Sequence, residues 1–310
     1  MEKVFNKIIN EICLEEGIEK KEISYGWILE LKKDNKIHHI IGNKLDLNTE
    51  ISFEIVNDKF ATFEVLKNNN IPIIDHKMIF NPNTRSNYYK NSFIEEAKKL
   101  FKNYKKVVVK ANHSYQGKDV HICENELEVS NIIDRLFKQQ NDTLSVCPYI
   151  NIVYEYRCIY LDGEIIFVYK KEKPYVIGDG ISSLNRLIER KELNENIKIE
   201  LLKDLDLNII PNKDEKIIIS WKHNLSNGAI PLLVNADDEF IEKVKNIARQ
   251  AGNVLNTRFV SIDISLTDDK NIYVMEVNGN VCLTKFVNLV PKGYIIAKDV
   301  YYKAINKMFI

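Results

Sequence analysis

Hydrophobic residues recur along the chain with two spacings, one typical of amphipathic helices and the other of strands. The first helix is predicted by five apolar positions with helical spacing: Phe5, Ile8, Ile9, Ile12 and Cys13. The segments YGWILEL and IHHIIG then predict two strands on either side of the charged turn 32–36. The chain therefore begins with a helix and two strands.

Helices and strands continue to alternate in the middle of the chain. Asp58 is a candidate N-cap for a helix through KFATFEVLKNN, and another helix is predicted over roughly 92–103. KKVVVKANHSYQGKDVHIC has the pattern strand, polar loop, strand. ELEVSNIIDRLFKQQ has the pattern of an amphipathic helix, and TLSVCPYI that of a strand.

Turn signals organise the rest of the sequence. Asp162-Gly163 predicts a hairpin within NIVYEYRCIYLDGEIIFVYKK. GDGISSLNRLIER predicts a glycine turn and a helix capped by Ser182 or Ser183, and the last two strands are FVSIDISL and NIYVMEVN. Because hairpins are frequent, the pattern favours an α+β fold with mixed or antiparallel sheets over a regular doubly wound fold.

Composition narrows the class of protein. The chain has 310 residues with 44 Lys+Arg and 44 Asp+Glu, so a nucleic-acid or membrane-surface partner is not expected. The five cysteines form no C-x-x-C pair and no zinc spacing, which is typical of reduced thiols in a cytoplasmic protein. The charged start does not have the pattern of a signal peptide, and no window approaches eighteen apolar residues.

A pair of carboxylates in the last two strands predicts a metal site. A turn centred on Asp269-Lys270 would place Asp263 directly opposite Glu276, and Asn278 lies on the same strand face as Glu276. Opposed carboxylates repel in a bare sheet, so removing one is expected to leave stability unchanged or slightly raised. Two carboxylates and an amide oxygen suit Mg²⁺. The alternative is a solvated sheet face.

A second candidate site is the polar loop after the apolar strand that ends at Lys110. The loop 112–118 offers backbone N–H groups, Ser114, a turn-forming Gly117 and the cation Lys118. Such a loop can cover a polyphosphate, although it is not a Walker loop. Taken alone, a strand–loop–strand segment with these residues is also compatible with a simple hairpin.

Two further segments carry polar groups in apolar surroundings. Arg157 shares a strand face with Glu155, so the two could form a structural ion pair or Arg157 could bind a phosphate. The segment 221–229, WKHNLSNGA, clusters polar residues before a glycine: Lys222, His223, Asn224 and Asn227. They form either an ordinary polar loop or a set of donors for a phosphoryl group or oxyanion.

Taken together and in this order, these segments resemble the ATP-grasp superfamily, particularly the branch that contains cyanophycin synthetase, the glutathione-synthetase part of bifunctional glutathione enzymes and the ribosomal-protein glutamate ligase. The resemblance covers residues 57–310. It rests on NDKFATFEVLKNNNIPIID, VVVKANHSYQGKDV, SVCPYI, YEYRCIYLDGEIIFVYKK, YVIGDGISSLNRLIE, KHNLSNGA and the carboxylate pattern around Asp263. The chain departs from the family at Cys147, where Glu or Gln is common, and in a loop with a single glycine.

The resemblance implies a short N-terminal segment (1–56), a small subdomain with the phosphate loop and adenine hinge (57–149), and a large subdomain with the metal site (150–310). It implies a ligase that phosphorylates a carboxylate with ATP and Mg²⁺ or Mn²⁺ and joins it to an amine. The substrates would be small molecules or peptides. A kinase and a non-catalytic nucleotide-binding module remain alternative functions. Neither a monomer nor a homo-oligomer is excluded.

The resemblance also implies roles for individual residues. Asp263, Glu276 and Asn278 would bind the metal, and Arg157, Lys222 and Asn224 would act on the reacting phosphoryl group or oxyanion. The nucleotide would be held by phosphate-binding and hinge residues: Lys59, Lys110, Ser114, Gly117, Lys118, Cys147, Pro148, Tyr149 and Ile150.

Overall fold

The computed structural model describes residues 4–83, 94–113, 119–191, 205–235 and 237–310. The chain begins with helix α1 (Val4–Glu16) and a four-stranded antiparallel sheet. The strands follow chain order: β1 (Glu19–Ile23), β2 (Ile28–Lys33), β3 (Lys36–Ile41) and β4 (Lys44–Leu45). The predicted helix and strands are confirmed. The sequence analysis did not predict β1, because its exposed EKKEI sequence has no apolar alternation.

Two short helices lead into the next sheet, α2 (Glu50–Asn57) and α3 (Lys59–Asn68). The predicted cap of α3 is confirmed, since an Asp58 carboxylate oxygen accepts hydrogen bonds from the N–H groups of Phe60 and Ala61 at 2.9 and 2.8 Å. Asp58 therefore fixes the start of α3, where Lys59 lies.

The small sheet has the strand order β5-β8-β6-β7 and contains only antiparallel pairs. Its strands are β5 (Lys77–Phe80), β6 (Val107–Ala111), β7 (Val120–Cys123) and β8 (Thr143–Pro148). Helices α4 (Ile94–Tyr104) and α5 (Glu126–Lys138) pack on one face around buried Val109, Ile133 and Leu144. The opposite face remains available for contact with the C-terminal part of the chain.

The large sheet has the order β13-β10-β9-β14-β15, again with antiparallel neighbours. Its strands are β9 (Ile152–Leu161), β10 (Glu164–Glu172), β13 (Ile230–Leu233), β14 (Phe259–Thr267) and β15 (Ile272–Asn278). The predicted turn at Asp162-Gly163 is confirmed, with φ values of 45° and 93° that favour glycine. Helix α7 (Ile241–Val254) covers one face, which we call the helix face.

A small two-stranded unit projects from the large sheet. It pairs β11 (Tyr175–Ile177) with β12 (Lys216–Ile218) beside helix α6 (Leu184–Glu189). The hydroxyl of Ser183 accepts a hydrogen bond from the Arg186 N–H at 3.4 Å, so Ser183 and not Ser182 caps α6.

Two C-terminal helices that the sequence analysis did not predict complete the described fold, α8 (Thr284–Leu289) and α9 (Gly293–Phe309). They share one hydrophobic core with α1, β2, β3 and the turn end of β9 and β10. The chain before residue 56 thus packs on the large sheet, while the boundaries at 56 and 149 stay predictions. In the described ranges, no helix is long and apolar enough to cross a membrane.

Candidate active site

The predicted pairing of the two carboxylates is present, although the turn differs from the expected one. Asp263 on β14 lies directly opposite Glu276 on β15. The connecting loop is centred on Asp269 instead of between Asp269 and Lys270, and a β-bulge after Val274 restores the pairing. The side chains of Asp263 and Glu276 therefore face the same side of the sheet, opposite the helix face, and we call this side the cleft face.

Two cations hold the carboxylate of Asp263. Arg157 on β9 donates from Nε to Oδ1 and from Nη2 to Oδ2, both at 2.7 Å, and Nζ of Lys171 lies 3.0 Å from Oδ2. Burial alone would raise the pKa of Asp263, but Arg157 and Lys171 outweigh burial and hold it well below its usual range. Asp263 is therefore a buried anion between two fixed cations.

Lys171 also pairs with Glu155, so the alternative Glu155–Arg157 pair weighed from the sequence is not formed. Burial raises the pKa of Glu155, and Lys171 opposes the rise. The expectation that removing Asp263 would not destabilise the fold loses its premise, because Arg157 and Lys171 both pair with this carboxylate. Its replacement would leave Arg157 and Lys171 in a buried site without their shared anion.

Glu276 is more open than Asp263. Its side chain is 35% exposed, against 5% for Asp263, and one carboxylate oxygen lies 3.6 Å from Nζ of Lys59. Lys59 also donates to the backbone carbonyl of Asn112 at 3.2 Å, which ties the start of α3 to the end of β6. Burial lowers the pKa of Lys59, and Glu276 opposes that effect.

The donor set of the cleft face fits a divalent cation. A carboxylate has about four lone-pair positions, and the three donors on Asp263 leave one at Oδ1. Glu276 faces the same side with an exposed carboxylate, and Asn278 lies two residues further along β15. The described residues contain no group of three His, Cys, Asp or Glu side chains that could hold a metal. A third ligand would thus be Asn278 or an oxygen from a substrate or water.

Lys110 on β6 provides a cation on the facing side of the small sheet. It is 9% exposed, and within the described ranges no carboxylate lies at ion-pair distance from it. Ser145 on β8 is its strand partner, and the Ser145 hydroxyl is buried with no hydrogen-bond partner in the described part of the chain. A buried lysine and an unpaired hydroxyl are suited to an anionic ligand. Three predicted loop residues, Ser114, Gly117 and Lys118, lie outside the described residues.

An apolar cluster lies between the two sheets, beside these charges. It contains Ile74, Val108 and Cys147 from the small sheet side and Met275 from β15, with Trp221 packed against it. The predicted hinge contributes Cys147 within the strand, Pro148 at its end, and then Tyr149 and Ile150. Burial raises the pKa of the Cys147 thiol. The thiol therefore stays protonated, and Cys147 cannot act as an anionic hydrogen-bond acceptor.

The loop 221–229 contributes Trp221 to the apolar cluster and carries two predicted catalytic residues, Lys222 and Asn224. Asn224 Oδ1 accepts from the Ser226 N–H at 2.8 Å and caps a short 3₁₀ turn (Leu225–Asn227), which leaves the side-chain N–H₂ as its donor. Nζ of Lys222 lies 5.6 Å from the Trp221 ring centroid. His223, which the sequence groups with these polar residues but to which no individual role was assigned, interacts electrostatically with Lys171 and Asp263.

Comparisons with known proteins identify the fold. No family model matches the chain. The chain is 22% identical over 282 residues to a bifunctional glutathione biosynthesis protein of Clostridium perfringens, an alignment that spans 81% of the chain but only 34% of that relative.

Two solved structures resemble the whole arrangement. A bifunctional glutathione synthetase from Pasteurella multocida matches with a TM-score of 0.59 and 19% identity, covering 97% of this chain and 44% of that one. A D-alanine–D-alanine ligase from Bacillus anthracis matches with a TM-score of 0.51 and 15% identity, covering 81% and 71%. Both similarities confirm the α+β fold expected from the sequence.

Proposed function

We propose, from the premise that this chain has the ATP-grasp fold, that it is an ATP-dependent carboxylate–amine ligase releasing ADP and phosphate. The glutathione synthetase and D-alanine–D-alanine ligase named among its neighbours support this class of reaction. The single observation that carries the proposal is the convergence of Lys110, Lys59, Arg157 and the two carboxylates on one apolar cleft.

The cleft suggests where each part of ATP would bind. The adenine would lie against the apolar cluster, with backbone groups from Cys147 to Ile150 as its hydrogen-bond partners. The phosphates would extend toward Lys110, which is buried without a carboxylate in the described part of the chain, and toward Lys59. Positioning and charge neutralisation of this kind supply most of the catalysis in phosphoryl transfer.

Asp263, Glu276 and Asn278 would hold Mg²⁺ or Mn²⁺. Bound there, the metal would neutralise phosphate charge during transfer. Arg157 and Lys171 occupy three of the roughly four lone-pair positions of Asp263, so the metal would take the remaining position at Oδ1 without displacing either cation.

The remaining residues would act on the substrates. A substrate carboxylate oxygen attacks the γ-phosphorus, ADP leaves, and an acylphosphate forms beside Arg157. The amine nitrogen then attacks the acyl carbon, the C–O bond to phosphate breaks, and the amine loses a proton as the amide forms. Lys222 and the side-chain N–H₂ of Asn224 would stabilise the tetrahedral oxyanion.

The substrates of this reaction are proposed to be small molecules or peptides that carry the carboxylate and the amine. The balanced charge of the chain gives no basis for a nucleic-acid or membrane-surface partner. A cytoplasmic location fits the scattered, unpaired cysteines. Assembly into a homo-oligomer is compatible with the proposal and not required by it.

A product assay tests the proposal. The purified chain is incubated with ATP, Mg²⁺ and pairs of amino acids or dipeptides, and ADP, AMP, phosphate and amide products are measured. We expect ADP whose release requires both a carboxylate and an amine. Stoichiometric AMP and pyrophosphate would contradict the acylphosphate route. ADP formed with a hydroxyl acceptor alone would indicate a kinase, and nucleotide binding without turnover under every pair would indicate a binding module.

A further inference from the structure

His223 follows Trp221 of the apolar cluster by two residues and interacts electrostatically with charged residues of the cleft face. Two residues before it, Trp221 packs edge-to-face against Tyr149 with ring centroids 6.0 Å apart. On its other side, the charges that act on His223 are those of Lys171, Lys173 and Asp263. A group at this place would meet the part of a nucleotide that joins the base to the phosphates.

The imidazole of His223 is neutral and has one unused nitrogen. The side chain is 5% exposed, and burial, together with Lys173 and Lys171, lowers its pKa to about 3. The ring hydrogen-bonds the backbone of Val153, whereas Nε2 is buried and has no hydrogen-bond partner among the residues that the structure describes. The contact with Val153 is therefore made by Nδ1–H, and Nε2 carries a lone pair that can only accept a hydrogen bond.

A buried acceptor without a donor is unfavourable, so a ligand that supplies the donor gains from the contact. The groups of a nucleotide between the base and the phosphates that can donate are the ribose hydroxyls. Anionic groups do not suit this position, because a bare nitrogen lone pair repels them. Since Nε2 is buried, the hydroxyl reaches it only when the loop 221–229 adjusts during binding.

Resting on the proposed function, we propose that His223 is a specificity-determining residue that accepts a hydrogen bond from a ribose hydroxyl of the bound nucleotide through Nε2. The loop 221–229 would thereby select ribonucleotides over deoxyribonucleotides. The carboxylate of Glu155 is less suited to accept a hydrogen bond from the ribose, because it already pairs with Lys171 on the neighbouring strand.

A double-mutant cycle between protein and ligand tests the proposal. Calorimetry measures the Kd of Mg·ADP, Mg·2′-deoxy-ADP and Mg·3′-deoxy-ADP for the parent, His223→Asn and His223→Gln. Asn keeps a donor at the position of Nδ1 and loses the distal acceptor, whereas Gln places a carbonyl oxygen near the position of Nε2. We expect the parent to bind ADP about tenfold more tightly than one deoxy analogue, with the difference lost in His223→Asn and partly kept in His223→Gln.

The outcomes separate this proposal from the function. The role of His223 would be overturned if the parent and His223→Asn prefer ADP over the deoxy analogues equally, or if the parent shows no such preference. Either result would leave nucleotide binding itself intact. A folded parent that binds none of the three nucleotides would contradict the nucleotide site itself. If His223→Asn does not fold, the comparison of ADP with its analogues in the parent and in His223→Gln still decides.

Discussion

On each face of the large sheet a lysine pairs with a carboxylate whose side chain is mostly buried, and the two lysines are consecutive in the chain. On the helix face, Lys170 pairs with Asp238, whose oxygens also accept from the Tyr156 hydroxyl at 3.1 Å. On the cleft face, Lys171 pairs with Glu155 and Asp263. Both lysines are cations with partners, although the side chain of Lys170 is 21% exposed and that of Lys171 is 3% exposed, so an ion pair by itself does not distinguish a site from a structural contact.

The difference lies in what surrounds each pair. The Lys170 ammonium lies 4.7 Å from the Tyr154 ring centroid and 5.3 Å from that of Tyr156, so aromatic rings and one carboxylate surround it. On the cleft face, by contrast, the side chain of Glu276 is 35% exposed. Its ion pair with Lys59 is long, with 3.6 Å between the carboxylate oxygen and Nζ. Incomplete pairing next to an apolar cleft is therefore the feature on which the assignment of the proposed site to the cleft face rests.

The largest expected effect comes from removing Lys110, the cleft lysine that has no carboxylate at ion-pair distance within the described ranges. Lys110→Met should lower kcat/KM by about 10²–10³-fold, by analogy with removal of a preorganised donor to a developing charge. The unliganded protein should be as stable as the parent, because a buried ammonium without a carboxylate partner is replaced by an apolar group. Steady-state kinetics and urea unfolding measure the two effects.

Lys170→Met is the matched variant on the opposite face and should show the reverse pattern. It leaves the Asp238 carboxylate without its cation and should cost about 3 kcal/mol in the free energy of unfolding. The Kd of Mg·ADP should not change. If Lys110→Met destabilises the protein as much as Lys170→Met does, the distinction between the two faces fails.

Asp263→Asn should lower stability at neutral pH, because Arg157 and Lys171 lose their shared anion. The pKa of Asp263 is depressed in the folded chain. The ionised carboxylate therefore contributes to the free energy of unfolding above the ordinary aspartate pKa of about 3.9, and this contribution is lost as the pH falls below that value toward the depressed pKa of the folded state. The stability difference between the parent and Asp263→Asn should thus shrink below about pH 4. A constant difference between pH 7 and pH 3 in urea titrations would contradict this role.

The sequence could predict which residues face each other in the last hairpin, β14–β15, but not in the hairpin β9–β10. An unbroken turn at Asp162-Gly163 would pair Lys170 with Glu155, yet the register shifts between Ile165 and Phe167 and brings Lys171 to the cleft face. No glycine or proline marks that shift. In the last hairpin the loop also differs from the expected one, but the bulge after Val274 compensates and Asp263 still meets Glu276.

Long-range contacts were also beyond the sequence pattern. Arg157 and Asp263 bond across neighbouring strands that are 106 residues apart, and periodicity does not give strand order. Alternation and caps did predict the elements around Asp58 and Ser183, because those signals are local. The role of Lys59 came from the family resemblance alone, whereas Lys110 and Lys222 were already candidates from their segments, and all three roles remain proposals.

The central claim, that the carboxylates of the cleft face bind the metal of a magnesium nucleotide, is tested most directly with Glu276→Gln. The exposed fraction of Glu276 and its 3.6 Å distance to Lys59 imply a change of about 1 kcal/mol or less in the stability of the unliganded protein. Melting temperatures are measured for the parent and the variant with no ligand, with ADP and chelator, and with Mg·ADP. We expect Mg·ADP to raise Tm clearly in the parent and little in Glu276→Gln, because only a ligand that binds the native state stabilises it. An equal rise in both proteins, dependent on Mg²⁺, would remove Glu276 from the metal site and contradict the account.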